Sequence, residues 1–215
     1  MRRARRRPRL PSKRSPPRVS SLRARPRGRV EVELEGEQWR TLPAEVVLGA
    51  GIDVGIELDR ERARRLARGL REHEALQRAA RAIAHRDLSE RELEERLARR
   101  NVPAHVRKQT VERLAHAGAV DDGRLARGRA DLLARRGAGD FLIRHDLEGR
   151  GITSELVEEA LAGLEAEDAR AQRIAAERGR GPRTARYLAR KGFSEEAIES
   201  ACEEIVAEDA PPAVR

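Results

Sequence analysis

Near the N-terminus, apolar and polar residues alternate with period two; further along, the apolar positions recur at helical spacing almost to the C-terminus. Val30, Val32 and Leu34 alternate with Glu31 and Glu33, the mark of a half-buried strand. Glu35-Gly36 can turn that strand and Gln38–Leu42 can return it, carrying Trp39. A short helix is predicted from Pro43 through Leu48. Gly49, Gly51 and Gly55 interrupt the next stretch, and Asp59 stands where it would cap a basic helix over 60–72. From about Leu76 onward the chain reads as helix.

Those helices repeat. Leu97-Ala-Arg-Arg-Asn-Val102, Leu147-Glu-Gly-Arg-Gly-Ile152 and Leu188-Ala-Arg-Lys-Gly-Phe193 are related by offsets of 50 and then 41 residues. The same offsets align Ile83, Leu133 and Ile174; Val111, Leu161 and Cys202; and Leu114, Leu164 and Ile205. Each unit therefore reads helix, link, middle helix, basic-Gly stop, third helix. Gly151 and Gly192 suit the left-handed residue that ends a helix, and Asn101 is the next best residue for it. Pro103 as first helical residue, Thr153 or Ser154, and Ser194 then open the third helices. Ser89-Glu-Arg-Glu92 is a capping box for the first middle helix. Self-similarity at this period predicts stacked units that complete one another's cores, in an elongated array.

Composition adds a tail and removes several function classes. Of 215 residues 46 are basic and 37 acidic, and only four are aromatic. Residues 1–29 hold 13 basic residues and no acidic one, so the rest of the chain is net negative despite the overall +9. Pro8, Pro11, Pro16, Pro17 and Pro26 lie there too, which predicts a disordered tail and excludes an amphipathic transit helix. The tail suits either a polycation that attracts nucleic acid or a solubilising extension. Apolar runs long enough to cross a bilayer are missing, and the lone Cys202 cannot form an internal disulfide.

Candidate chemistry is thin. His73, His85, His105, His116 and His145 do not fall at metal-ligand spacing. Asp121-Asp122 suits a helix start better than a two-metal nuclease centre. Gly137-Ala-Gly139 and Gly179-Arg-Gly181 lack the context of a phosphate loop. Neither catalytic residues nor cofactor or metal ligands are expected. The basic side chains are more regular. Arg183, Arg186 and Arg190 form one helical stripe extended by Lys191. Arg86, Arg96, Arg99 and Arg100 flank or end the first middle helix, while Arg135, Arg136, Arg144 and Arg150 flank or lie on the second. The third helices are acidic instead, from Glu155, Glu158 and Glu159 to Glu195, Glu196, Glu199, Glu203, Glu204 and Glu208. This sidedness fits either internal charge pairing or a surface that faces a polyanion or helical polymer.

Ala82–Val102 (AIAHRDLSERELEERLARRNV) resembles the first unit of the RecX family of bacterial recombination regulators. So do Asp121-Asp122-x-x-Leu125-Ala126, Arg135-Arg136-Gly137-x-Gly139, Leu147-x-x-Arg150-Gly151-Ile152 and, in the last unit, Arg180-Gly181-Pro182 with Leu188-x-x-Lys191-Gly192-Phe193. Val30–Leu58 is similar to the β-containing extension of some members. Leu125, Asn101 and Asp140 depart from the family pattern, where an aromatic, a glycine and a basic stretch are usual. Residues and resemblance together give a mainly all-α chain: a disordered Arg/Pro-rich tail over 1–28, read from composition and without a counterpart in the family, a β-hairpin and helix cap over 29–73, three-helix repeats over 74–119, 120–165 and 166–208, and a disordered end over 209–215. The resemblance implies a cytoplasmic, monomeric, non-enzymatic regulator of DNA repair, recombination and the SOS response. Its partners would be the RecA recombinase filament and single-stranded DNA, met directly or through RecA, with lowered ATPase, coprotease and strand-exchange activities. The twelve basic residues Arg86, Arg96, Arg99, Arg100, Arg135, Arg136, Arg144, Arg150, Arg183, Arg186, Arg190 and Lys191 are the candidate contacts. A sequence-independent DNA-binding helical protein acting without RecA is the alternative.

Overall fold

A computed structural model describes residues 16–202, so the expected disordered end over 209–215 and the last helical column residue, Ile205, lie outside the described residues. The chain divides into two units, with the boundary after Gln77.

The first unit holds three antiparallel strands in sequential order, β1 (Val19–Arg25), β2 (Arg29–Leu34) and β3 (Glu37–Pro43), then α1 (Ala44–Gly49) and the start of α2 (Arg60–Ile83). Short turns join the strands. Pro26, Arg27 and Gly28 link the paired Arg25 and Arg29, with Arg27 and Gly28 at positive φ, and the two residues Glu35 and Gly36, both at positive φ, link Leu34 and Glu37, the left-handed conformation that tight hairpin turns use. Val19, Val32, Leu42, Val46, Val47, Ile52 and Leu66 form the core. Of the expected tail over 1–28, residues 1–15 lie outside the described residues, and strand β1 corrects the rest: residues 19–25 are sheet, and the sheet begins ten residues before the predicted cap. The arginines that suggested disorder are paired across the sheet, Arg25 to Glu31 at 2.9 Å and Arg23 to Glu33 at 3.4 Å, while Val19 is buried. A second correction concerns α2, which joins the expected 60–72 helix to the first helix of the first repeat without a break. The side chain of Asp59 accepts from Arg62 N at 2.7 Å, as a cap should.

The second unit is helical. After the end of α2 come α3 (Glu90–Ala98) and α4 (Ala104–His116); then α5 (Asp122–Arg135), α6 (Asp140–Gly149) and α7 (Ser154–Ala162); then α8 (Glu167–Arg178), α9 (Pro182–Arg190) and α10 (Glu195–Cys202). Three of the predicted columns sit at matching depths, whereas Val111 and Leu114 are buried and their counterparts Leu161, Cys202 and Leu164 only half-buried. Leu97, Leu147 and Leu188 are all buried, as are Val102, Ile152 and Phe193, and Ile83, Leu133 and Ile174 are half-buried. Asn101 (φ 57), Gly151 (φ 82) and Gly192 (φ 78) hold the left-handed stop in turn. The Ser89 capping box forms, with Ser89 accepting from Glu92 N and the Glu92 carboxylate accepting from Ser89 N. Pro103 caps α4 and Ala104 is its first residue, one position from expectation. Cores are small and alanine-rich: Ala126, Ala130, Ile143, Leu147 and Val157 in the middle repeat, and Ala171, Ala175, Leu188, Phe193 and Ala197 in the last. Small side chains let helices approach closely but bury little area each, so polar contacts between repeats matter more.

Candidate cationic interface

The candidate basic residues lie on or beside the middle helices α3, α6 and α9, with Arg135 and Arg136 at the end of α5, and the structure sorts them into paired and unpaired sets. Arg150 is committed. Its guanidinium donates to Asp146 at 2.9 Å and reaches across the repeat boundary to Glu92 at 3.2 Å. Asp146 also receives both branches of Arg129, at 2.8 and 2.9 Å. The Arg129 hydrogen bonds, with further help from Arg150, pull the Asp146 carboxyl down to about 2, because both favour its charged form. Arg144 pairs with Glu158 across to α7. Arg86 reaches Glu92 at 3.4 Å, and Arg135 reaches Asp131 one turn back at 2.8 Å. For these four the internal reading of the charge pattern holds in the structure.

The remaining candidates form no ion pair among the described residues. Arg96, Arg99 and Arg100 gather at the carboxyl end of α3, where cations complement the helix dipole. Arg96 and Arg100 line a cleft of about 300 Å³ together with Arg78, Arg81 and His85. Sequence reading missed Arg78 and Arg81; their spacing from the helix end was the available signal, since Arg81 occupies the last turn of α2. Arg136 is the exposed C-cap of α5. On α9, Arg183, Arg186 and Arg190 are exposed, as the i, i+3, i+7 stripe predicted. Lys191 lies 5.8 Å from the Tyr187 ring, which Arg178 also covers at 4.1 Å; both are within cation–π range. The structure thus brings unpaired cations together at the ends of α3 and on α9, while those of α6 are consumed internally.

Asp121 caps α5, accepting from Arg124 N at 2.8 Å. Asp122 accepts from Glu90 N at 2.9 Å, and burial holds its carboxyl above the ordinary range. Both acids therefore have structural partners. Among the described residues, no cluster of three His, Cys, Asp or Glu side chains could hold a metal ion, and no helix is long and apolar enough to cross a membrane. A residue that sequence reading passed over is Arg170, 3% exposed. It donates to Ala138 O at 2.7 Å and Glu165 O at 2.9 Å, pairs with Asp140, and lies over the Phe193 ring at 5.7 Å.

Comparison with known proteins gives a consistent result. Residues 75–114 match the family model described as RecX, first three-helix domain. Over 144 residues the chain is 34% identical to the regulatory protein RecX of Deinococcus radiodurans, covering 62% of this chain and 69% of that one. The regulatory protein RecX of Chromohalobacter salexigens is 37% identical over 135 residues, 57% of this chain and 87% of the relative. Among solved structures, a crystal structure of regulatory protein RecX superimposes with a TM-score of 0.76 at 20% identity, covering 87% of this chain and all of the other. The RecX structure from Lactobacillus salivarius gives 0.54 at 16% identity, over 61% of this chain and 94% of that one.

Proposed function

This chain belongs to the RecX family of regulatory proteins, and from that premise we propose that it binds the RecA recombinase filament on single-stranded DNA and lowers its ATPase, coprotease and strand-exchange activities. It does so without catalysis of its own, as a cytoplasmic monomer. The observation that supports this reading most is the sorting of charge. The cations without internal partners collect on α9 and at the end of α3, on different repeats of one unit, whereas the acids of α7 serve internal pairs such as Arg144–Glu158 and Arg127–Glu159. A polymer that offers anionic surface at successive protomers is matched by cations spaced along a repeat. Within the twelve candidates, Arg96, Arg99, Arg100, Arg136, Arg183, Arg186, Arg190 and Lys191 carry the contact; Arg86, Arg135, Arg144 and Arg150 maintain the fold.

The test is a titration of the full chain into RecA filaments on single-stranded DNA, following ATP hydrolysis. The triple variant Arg183→Glu, Arg186→Glu, Arg190→Glu loses inhibition while its far-ultraviolet circular dichroism stays unchanged. Retained inhibition rules out these residues as contacts. Tight binding to naked DNA that falls steeply with salt, with no effect on RecA, identifies instead a general DNA-binding protein.

A further inference from the structure

The two boundaries between repeats in the second unit are built alike, and the third repeat presents the same edge with nothing described upon it. At the first boundary the opening turn of α3 receives oxygen atoms from the following repeat. Ser89 Oγ donates to Arg150 O at 2.6 Å, the Arg91 guanidinium to Gly149 O at 2.7 Å, and Glu90 N to the Asp122 carboxylate at 2.9 Å. At the second boundary the opening turn of α6 does the same. Gly139 N donates to Lys191 O at 2.8 Å, Phe141 N to Gly192 O at 3.1 Å, and Asp140 N to the Glu167 carboxylate at 2.7 Å. Each seat accepts two main-chain carbonyls from a helix end and one carboxylate.

Cap residue for cap residue, Ser89 and Gly139 correspond to Gly181 at the start of α9. A Cβ added at Gly139 would stand 2.3 Å from Phe193 N, whereas one at Gly181 would meet nothing within 4 Å. The third seat opens instead onto a cleft of about 420 Å³ lined by Arg178, Arg180, Arg183 and Arg186. Its chemistry has shifted in one direction. Pro182 removes the main-chain donor that Glu90 and Asp140 supply in the other seats, and guanidinium groups line the cleft in its place: Arg180 and Arg183, with Arg178 lying over the Tyr187 ring at 4.1 Å and Arg186 Nε donating to Pro182 O at 3.1 Å. Arg183 occupies the position of Arg91, which already grips a carbonyl oxygen in the first seat.

We infer that the cleft at the α8–α9 link is a docking seat for an acidic polypeptide segment, which supplies the carboxylate and carbonyl oxygens that a fourth repeat would. A second copy of this chain is a poor occupant: the corresponding helix end of its first repeat carries Arg96, Arg99 and Arg100, which would meet four arginines. This reading does not depend on RecA.

The test measures binding of a fluorescein-labelled decaglutamate peptide to the full chain by anisotropy, beside a labelled decathymidylate. The variant Arg178→Ser, Arg180→Ser weakens peptide binding about tenfold. The control Lys108→Ser, Arg113→Ser removes the same charge from α4 and weakens it less than about threefold. Equal losses in the two variants would mean that net charge alone is sensed, and the seat would be abandoned. A tenfold loss for decathymidylate with the peptide unaffected would assign the cleft to nucleic-acid phosphates and overturn the proposal equally. Unchanged circular dichroism of both variants secures the comparison.

Discussion

Ser89 and Arg150, sixty-one residues apart, are joined by a 2.6 Å hydrogen bond from the serine hydroxyl to the arginine carbonyl. The same hydroxyl accepts from Glu92 N at 3.0 Å, so one buried oxygen both caps α3 and fastens the first repeat to the second. Advancing each partner by the repeat offset gives Gly139 and Lys191, which bond again through the glycine N–H at 2.8 Å. Ser89→Ala therefore removes a helix cap, typically about 1 kcal/mol, and strands a carbonyl at a buried joint, a further ~1–2 kcal/mol. Urea unfolding should show a loss of roughly 2–3 kcal/mol. A loss below about 0.5 kcal/mol, the range of ordinary surface changes, would show that the joint contributes little.

The stops of the middle helices divide by the same geometry. Gly192 has φ 78, and an added Cβ would lie 2.8 Å from Leu142 N. Gly192→Ala thus combines left-handed strain of about 1 kcal/mol with a main-chain clash across the repeat boundary. Asn101 occupies the equivalent conformation at φ 57. Asn101→Gly should leave the unfolding midpoint nearly unchanged, while Gly192→Ala lowers it markedly. Equal effects of the two substitutions would contradict this account of the boundary.

Much of this architecture is legible in the amino-acid sequence because it is local. The alternation of Val30, Val32 and Leu34, the left-handed stops and the Ser89 capping box each depend on neighbours within a few residues. Strand β1 escapes because its arginines read as tail until Glu31 and Glu33 are known to lie across the sheet. Continuity of α2 escapes because an alanine- and arginine-rich stretch has no strong apolar stripe to fix its phase. Hardest to read are the paired cations. Arg170 looks like any helical surface arginine, and only the fold reveals the two carbonyls, the carboxylate and the aromatic face that surround it. Arg150 and Arg190 likewise fill similar sequence positions at the ends of middle helices, yet one has acids within reach and the other does not.

Arg170→Met should be among the most damaging single changes in the helical unit. Its guanidinium is buried against Ala138 O, Glu165 O and Asp140. Removing it leaves three oxygens of the middle repeat without their donor from the last one, a cost of about 3 kcal/mol or more. Arg170→Lys should recover only part of that, because an ammonium cannot span all three partners. Full recovery by lysine would reduce the role to charge alone.

Acid stability should report on Asp146. Hydrogen bonds from Arg129, joined by Arg150, hold its carboxyl at about 2 against an ordinary 3.8. A carboxylate depressed by folding stabilises fully above its unfolded value, and that contribution fades as the pH falls through the folded one. The contribution is about 2 kcal/mol near neutrality, roughly half that by pH 3, about a fifth at pH 2, and is lost below that. Asp122 and Asp140 act with the opposite sign, since burial holds both above the ordinary range; their cost at neutral pH disappears on protonation. Asp146→Asn should therefore be less stable than the parent at pH 7 and converge with it toward pH 2. A difference that stays constant from pH 7 to pH 2 would place the stabilisation elsewhere.

Arg150 and Arg190 allow stability and regulation to be separated. Both end a middle helix, and sequence alone gives them the same surface role. In the structure the Arg150 side chain is 21% exposed and bonded to Asp146 and Glu92, so Arg150→Ala leaves two acids facing each other without their shared cation. It should lower the unfolding midpoint, and inhibition of RecA ATP hydrolysis should survive at temperatures where the variant stays folded. Arg190 is exposed and without an acid among the described residues, so Arg190→Ala should change stability by less than about 0.5 kcal/mol. Its effect belongs in the titration, as a shift of the inhibition curve to higher protein concentration that is largest at low salt and shrinks as salt is added. The reverse assignment, with Arg150→Ala folded but inactive and Arg190→Ala active, would mean that the internal pairs open on binding. The sorting of cations into paired and unpaired sets would then no longer identify the contact surface.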